Sequence, residues 1–141
     1  MGKKIKVVFD TNVWISIAME KILKDEFFQV KQELTVYVSK DILSEISKVL
    51  LYPKISEVVS NAGLNEKEIL RAIEANSTIV KPKLKLQIIE EDVEDDKILE
   101  CALACKANII VSGDKHLLKL AKFRKTRILT PREFFDGMKR N

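Results

Sequence analysis

Apolar and polar positions along the 141 residues follow two alternating periods. Residues 4–9 close in the unbroken apolar run VVF, the pattern of a strand buried on both faces. The run stops at Asp10 and resumes at Val13, which predicts a helix opening near Thr11 or Asn12, either one suited to cap it. LTVYVS at 34–39 is β-branched and aromatic, and Ser39 is placed to cap a helix reaching about Leu51, before Pro53. Two helices follow, one ending near Gly63 and one opening at Asn65, with Glu68 three residues on as in a capping box. Residues 76–89 alternate apolar and basic side chains around Pro82, compatible with a short edge strand or an extended connection. Beyond them lie a run of acids at 90–96, an apolar helix KILECALACKA, a buried strand NIIVSGD, a helix KHLLKLAKF and the closing TRILTPREFF. Pro131 suits the first turn of a last helix.

Strands and helices thus alternate from end to end, the pattern of a mostly parallel sheet covered on both faces. The length suits a single domain over residues 1–141. Apolar residues make up 46% and charged residues 33%, which excludes intrinsic disorder. The apolar run Thr11–Met19 is too short to span a membrane, and no signal-peptide pattern opens the chain, so a cytoplasmic protein without a membrane partner is expected. Cys101 and Cys105 lie one helical turn apart on an apolar helix and read as core thiols of a reducing compartment. With His116 they are too few ligands for zinc, and a single histidine excludes mechanisms that need two.

Charge adds a second pattern. The net charge of +4 is small, but residues 90–100 hold seven acids and one lysine, whereas 115–127 hold six Lys or Arg and no acid. In open parallel sheets ligands bind beyond the carboxyl ends of the strands, where Asp10 and Asp114 both fall. At 100° per residue, Glu45 borders the apolar arc of Ile42, Leu43, Ile46, Val49 and Leu50 and leans inward. Asp92, Asp95 and Asp96 collect where a helix starts, a position that favours negative charge.

Each acid has a plainer reading: Asp10 as a turn or cap, Asp92 or Asp95 as a helix cap, Glu45 as a solvated helix residue, Asp114 as half of a Gly-Asp turn. Together they would repel one another unless a hard divalent cation, Mg²⁺ or Mn²⁺, offset the charge. Such an ion is suited to phosphodiester hydrolysis.

VVFDTNVWIS, SKDILSEISKVL, DVEDDKILECALACKANIIVSGD and ILTPREFF, in this order, resemble the motifs of the PIN domain, a ribonuclease fold of many prokaryotic toxin–antitoxin toxins. The resemblance implies a three-layer α/β/α sandwich and a metal-dependent ribonuclease. Its catalytic and metal-binding quartet would be Asp10, Glu45, Asp96 and Asp114. Thr11, Asn12 and Ser112 would steady the carboxylates, and Asp92 matches a frequent accessory acid. Asp96 is favoured over Asp95 as third acid because it directly precedes KILECA, and His116 stands where the family often has a further Asp. The implied partners are an RNA substrate, an antitoxin protein and a second copy in a homodimer. Lys119, Lys122, Arg124 and Lys125 are the candidates for phosphate contacts, with an ordinary solvated face as the plainer reading. Two alternatives stand beside it: a PIN fold that binds RNA or protein without cutting, and a haloacid-dehalogenase-like phosphatase. The latter would want an Asp where Asn12 stands.

Overall fold

The strand Ile5–Phe9 (β1) is buried through Val7, Val8 and Phe9 on both faces, so it must run through the middle of a sheet covered on two sides. The computed structural model describes residues 3–85 and 93–139, the side chains of 93–95 excepted. After β1 come helices Thr11–Met19 (α1) and Lys21–Val30 (α2), then strand Leu34–Ser39 (β2). Helices Lys40–Leu50 (α3), Pro53–Asn61 (α4) and Glu66–Ala75 (α5) lead to the short strand Thr78–Val80 (β3). Helix Val93–Cys105 (α6) precedes strand Ile109–Val111 (β4) and helix Lys115–Leu120 (α7). A hairpin of Lys122–Phe123 (β5) and Thr126–Leu129 (β6), then helix Pro131–Lys139 (α8), complete the described chain.

Among the described residues the strands form one sheet in the order β3-β2-β1-β4-β6-β5, parallel except for β5. The chain first builds outward from β1 through β2 to β3, then returns to β1's other side for β4 and β6. The order therefore reverses between β1 and β4, which opens a crevice beyond their carboxyl ends. Phe9 meets Trp14 of α1, Phe27 of α2 and Phe134 of α8 edge to face, with ring centroids 5.1, 5.9 and 6.1 Å away. These helices cover one face. Helix α6 packs across β1, β2, β3 and β4, and α3 touches both α1 and α6. The result is the three-layer arrangement expected from the alternating pattern.

Local chemistry explains most of the boundaries. Ser39 accepts from the Ile42 amide at 3.2 Å and Asn65 from the Glu68 amide at 3.0 Å, both as N-caps. Gly63 follows α4 at φ 75, a left-handed turn that glycine adopts without strain. Within the ambiguous stretch at 76–89, Thr78–Val80 form the edge strand β3, whose Tyr37↔Thr78 and Ser39↔Val80 register follows β2, and 86–89 lie outside the described residues. Cys101 and Cys105 are buried free thiols whose pKa values burial raises, that of Cys105 to about 11, as core cysteines require.

Four expectations need correction. The cap of α1 is Asp10, not Thr11 or Asn12, because its carboxylate reaches the Val13 amide at 2.9 Å. A separate α2 follows α1, because Glu20 adopts an extended conformation (φ −103, ψ 119) and breaks the helical path. The helix read as KHLLKLAKF ends at Leu120: Ala121 turns to φ 58 and Lys122–Phe123 pair with β6 instead. Helix α6 already runs from Val93, so Asp95 lies inside it and does not cap it, and Asp92 lies outside the described residues.

Glu26 of α2, only 5% exposed, is held by Arg132 and by Lys139, whose Nζ lies 2.6 Å from Oε2, tying α2 to α8 beside the aromatic cluster. Phe134→Ala should empty the centre of that cluster and lower unfolding stability by about 3–5 kcal/mol in a urea titration. A loss below about 1 kcal/mol would show that Phe134 is not a keystone of this face.

Candidate active site

The strand-end carboxylate is built by two parallel neighbours. β1 and β4 pair with Phe9 opposite Val111, and the Asp10 amide donates to the Val111 carbonyl at 3.1 Å. That register sets the next residues, Asp10 and Ser112, side by side. The Ser112 hydroxyl donates to Asp10 Oδ2, while Asp10 Oδ1 accepts the Val13 amide. Ser112 in turn accepts the Asp114 amide at 2.9 Å and anchors its own amide on the Leu129 carbonyl. One fully buried hydroxyl thus links two acids at the carboxyl ends of β1 and β4, at the crevice where the strand order reverses.

The electrostatics of the pair are strained. Asp10 is 6% exposed, and this burial pushes its pKa above the ordinary carboxylate value, outweighing hydrogen bonds from Ser112, the Val13 amide and the Gly113 amide. The charge of Asp114 pushes in the same direction. Asp114 caps α7 by accepting the His116 amide at 2.7 Å, and the His116 ring nitrogen Nδ1 stands 3.4 Å from the same oxygen.

The other predicted acids reach this edge by topology. A helix that crosses between two parallel strands runs antiparallel to them, so the start of α6, with the buried Asp96, lies at the strands' carboxyl ends. Glu45 is half-buried on α3, whose first residues follow β2 at that edge. Among the described residues neither the Thr11 nor the Asn12 side chain hydrogen-bonds Asp10 or Asp114. As the first two residues of α1 they follow the cap and do not face it, and Ser112 takes the steadying role.

Sequence reasoning missed Glu100. It lies four residues after Asp96 on the same side of α6, is equally withdrawn from solvent, and lines a cavity of about 340 Å³ with Ser39 and Lys40 at the carboxyl ends of β2 and β3. The available signal was a glutamate interrupting the apolar run of α6. His116, which stands where the family often has a further Asp, is a neighbour of Asp114.

Among the described residues no three Asp, Glu, His or Cys side chains form a ready cage for a metal ion. Mg²⁺ requires less, since it keeps several waters and takes one or two carboxylates with substrate phosphates supplying further oxygens. A buried carboxylate whose ionisation the charge of Asp114 makes costlier, with Asp114 itself beside it, fits such an ion by donor type and by charge.

The basic residues separate. Lys119 is exposed on α7, but Arg124 and Lys125 form the turn between β5 and β6. Because β6 runs parallel to β4, that turn lies at the opposite, amino edge of the sheet. The physical reason is the break at Ala121, which converts the expected helix into a hairpin and carries these cations away from the acidic pair.

The family model described as PIN domain matches residues 6–116. The chain belongs to the PIN domain family. This PIN domain is also similar, at 35% identity, to the uncharacterized protein MJ1680 of Methanocaldococcus jannaschii, an alignment covering 94% of this chain and 91% of that protein. Its fold is similar to that in the crystal structure of VapBC2 from Rickettsia felis bound to a DNA fragment from its promoter, with a TM-score of 0.62 at 14% identity. That match covers 88% of this chain and 97% of the other. The family match leaves the phosphatase alternative without support.

The raised pKa of Asp10 has a consequence for stability. The folded state holds this proton more tightly than the unfolded chain, so stability falls as pH rises from the ordinary value of 3.8 through the folded value, and stays reduced above it. With chelator present, Asp10→Asn should therefore melt above wild type at pH 7, the difference closing as pH falls toward 4, as followed by circular dichroism. A variant that melts below wild type at pH 7 would contradict this electrostatic account.

Proposed function

We propose that this PIN domain is a metal-dependent endoribonuclease, cytoplasmic, and the toxin of a toxin–antitoxin pair. PIN domains are generally nucleases. The observation that carries the reading is the buried Asp10 joined through Ser112 to Asp114 at the crevice between β1 and β4. Asp10 and Asp114 would hold a Mg²⁺ or Mn²⁺ ion, with Asp96 as third ligand and Glu45 placed to orient water or a second ion. When bound, the ion supplies Lewis-acid chemistry, drawing charge from a phosphodiester and making water nucleophilic at neutral pH.

Ser112 keeps Asp10 turned toward the crevice and leaves Asp114 aligned through its own amide. The water oxygen bonds to phosphorus in line as the bond to the 3′ oxygen breaks, and the proton passes to that oxygen. The products are a 5′-phosphate and a 3′-hydroxyl. Among the described residues no helix is long and apolar enough to cross a membrane. The likeness of fold to VapBC2, a protein seen with DNA, supports an antitoxin partner, and the homodimer is part of the proposal.

A second reading, a PIN fold that binds RNA without cutting, draws on the lack of a three-ligand cage among the described residues. RNA cleavage assays separate the two. Wild type should cut with Mg²⁺ or Mn²⁺ and stop with chelator, and Asp10→Asn should lose about 10²–10⁴-fold in rate, the equivalent of several kcal/mol of charge stabilisation. Equal, negligible cutting by wild type and variant while both bind RNA would favour the second reading. Light scattering should give the mass of two chains in solution, and a monomer mass would remove the homodimer from the proposal.

A further inference from the structure

The displacement of Arg124 and Lys125 to the amino edge of the sheet leaves them in company. Lys4 precedes β1 and Lys6 lies within it, Lys106 follows α6 just before β4, and Arg127 lies on β6. All but the half-buried Lys6 are exposed, and none of the six takes part in an ion pair among the described residues. The segments 3–9, 101–113 and 115–127, which supply β1, β4, β5 and β6, contain no acid at all. Glu33 and Glu74 lie at the β2–β3 side of this edge.

These cations stand on a stitched platform. Asn108 exchanges backbone and amide bonds with Lys6, at 2.8 Å in each direction, and accepts the Arg127 amide at 3.0 Å. The Thr126 hydroxyl donates to the Ala107 carbonyl at 2.7 Å and fastens the Lys106 turn to the hairpin. With strands about 4.8 Å apart, Lys6 and Arg127 are roughly 10 Å apart at their backbones, and Lys6 is about 13 Å along β1 from Asp10. One phosphate cannot touch both edges. The Arg124 guanidinium lies over the Phe123 ring, 5.4 Å from its centroid, which presents at the surface a planar cation of the kind on which unpaired bases stack. The large exposed apolar side chains, such as Phe28, Leu51 and Tyr52, lie on other elements, so this surface lacks the apolar centre of a protein interface.

We infer that the amino edge of the sheet, from Lys4 across Lys106 to the Arg124–Lys125 turn, is a second phosphate-binding surface that holds single-stranded RNA away from the acidic crevice. Its occupant rests on the ribonuclease reading, but its chemistry does not require that any bond be cut.

The test is binding, in chelator, of a fluorescent single-stranded RNA of about 20 nucleotides, followed by anisotropy as a function of salt. The triple variant Lys106→Gln, Arg124→Gln, Lys125→Gln should bind about tenfold more weakly or worse, and its slope of log affinity against log salt should fall by about 2, as expected for three lost phosphate contacts. A control losing the same charge on α4 and α5, Lys54→Gln, Lys67→Gln, Arg71→Gln, should change little. Equal losses in both variants, unchanged binding in the first, or no RNA binding by wild type would each overturn the inference. A loss confined to duplex DNA would overturn it in favour of a DNA surface. Binding that follows the expected pattern in chelator, together with no cleavage in a separate assay with Mg²⁺ or Mn²⁺, upholds the surface and removes only the nuclease reading.

Discussion

The pairing of β1 with β4 is the constraint from which the functional geometry follows. Phe9 opposite Val111 sets the register, the Asp10 amide extends the ladder by one bond to Val111, and the next two side chains, Asp10 and Ser112, meet. Slipping that register by one residue would turn Asp10 to the other face and take Phe9 away from Trp14, Phe27 and Phe134, so the aromatic core and the carboxylate site are held by the same hydrogen bonds. Burial of Phe9 among Trp14, Phe27 and Phe134 supplies the free energy that keeps a charged group at a position where desolvation opposes its charge.

This arrangement also reconciles two readings of Asp10 that look exclusive in sequence. It is a helix cap, since one carboxylate oxygen takes the Val13 amide, and it is a site acid, since the other is turned by Ser112 toward Asp114. Capping holds the carboxylate in place. The positive end of α1 partly offsets its charge, but burial and Asp114 still leave the ionised form disfavoured, which is the condition under which a cation binds with advantage. Charge is organised on a larger scale as well. The parallel strands give the sheet two chemically distinct edges, with acids gathered at the carboxyl ends and, at the amino ends between β1 and the β5–β6 hairpin, cations without an ion pair among the described residues.

Much of this was legible before any coordinates. The strands at 5–9, 34–39 and 109–111 carry short apolar runs rich in β-branched residues, and Ser39 and Asn65 cap the helices their spacing announces. Asp10 and Asp114 could be placed on one edge because parallel connectivity alone decides which ends of strands share an edge. The misreadings were local and of one kind. The helix predicted through Phe123 fails because Ala121 takes a left-handed conformation to bring Lys122–Phe123 against β6, a tertiary pairing that overrides a helical period six residues long. Glu100 escaped notice because an isolated glutamate on an apolar helix is ordinarily solvated, and only packing against β2 and β3 buries it.

The sequence by itself determined the alternating architecture, the family and the identity of the acids at the strand ends, because these depend on period, turn chemistry and motif order, which are local properties of the chain. The tertiary structure alone decided which groups meet: that Ser112 and not Thr11 or Asn12 bridges the acids, that His116 faces Asp114, and that the basic run divides between two edges of the sheet. The first of these depends on register and strand direction between segments about a hundred residues apart. Contacts of that range are selected by the packing of the whole sheet and leave no mark in the spacing of any one segment.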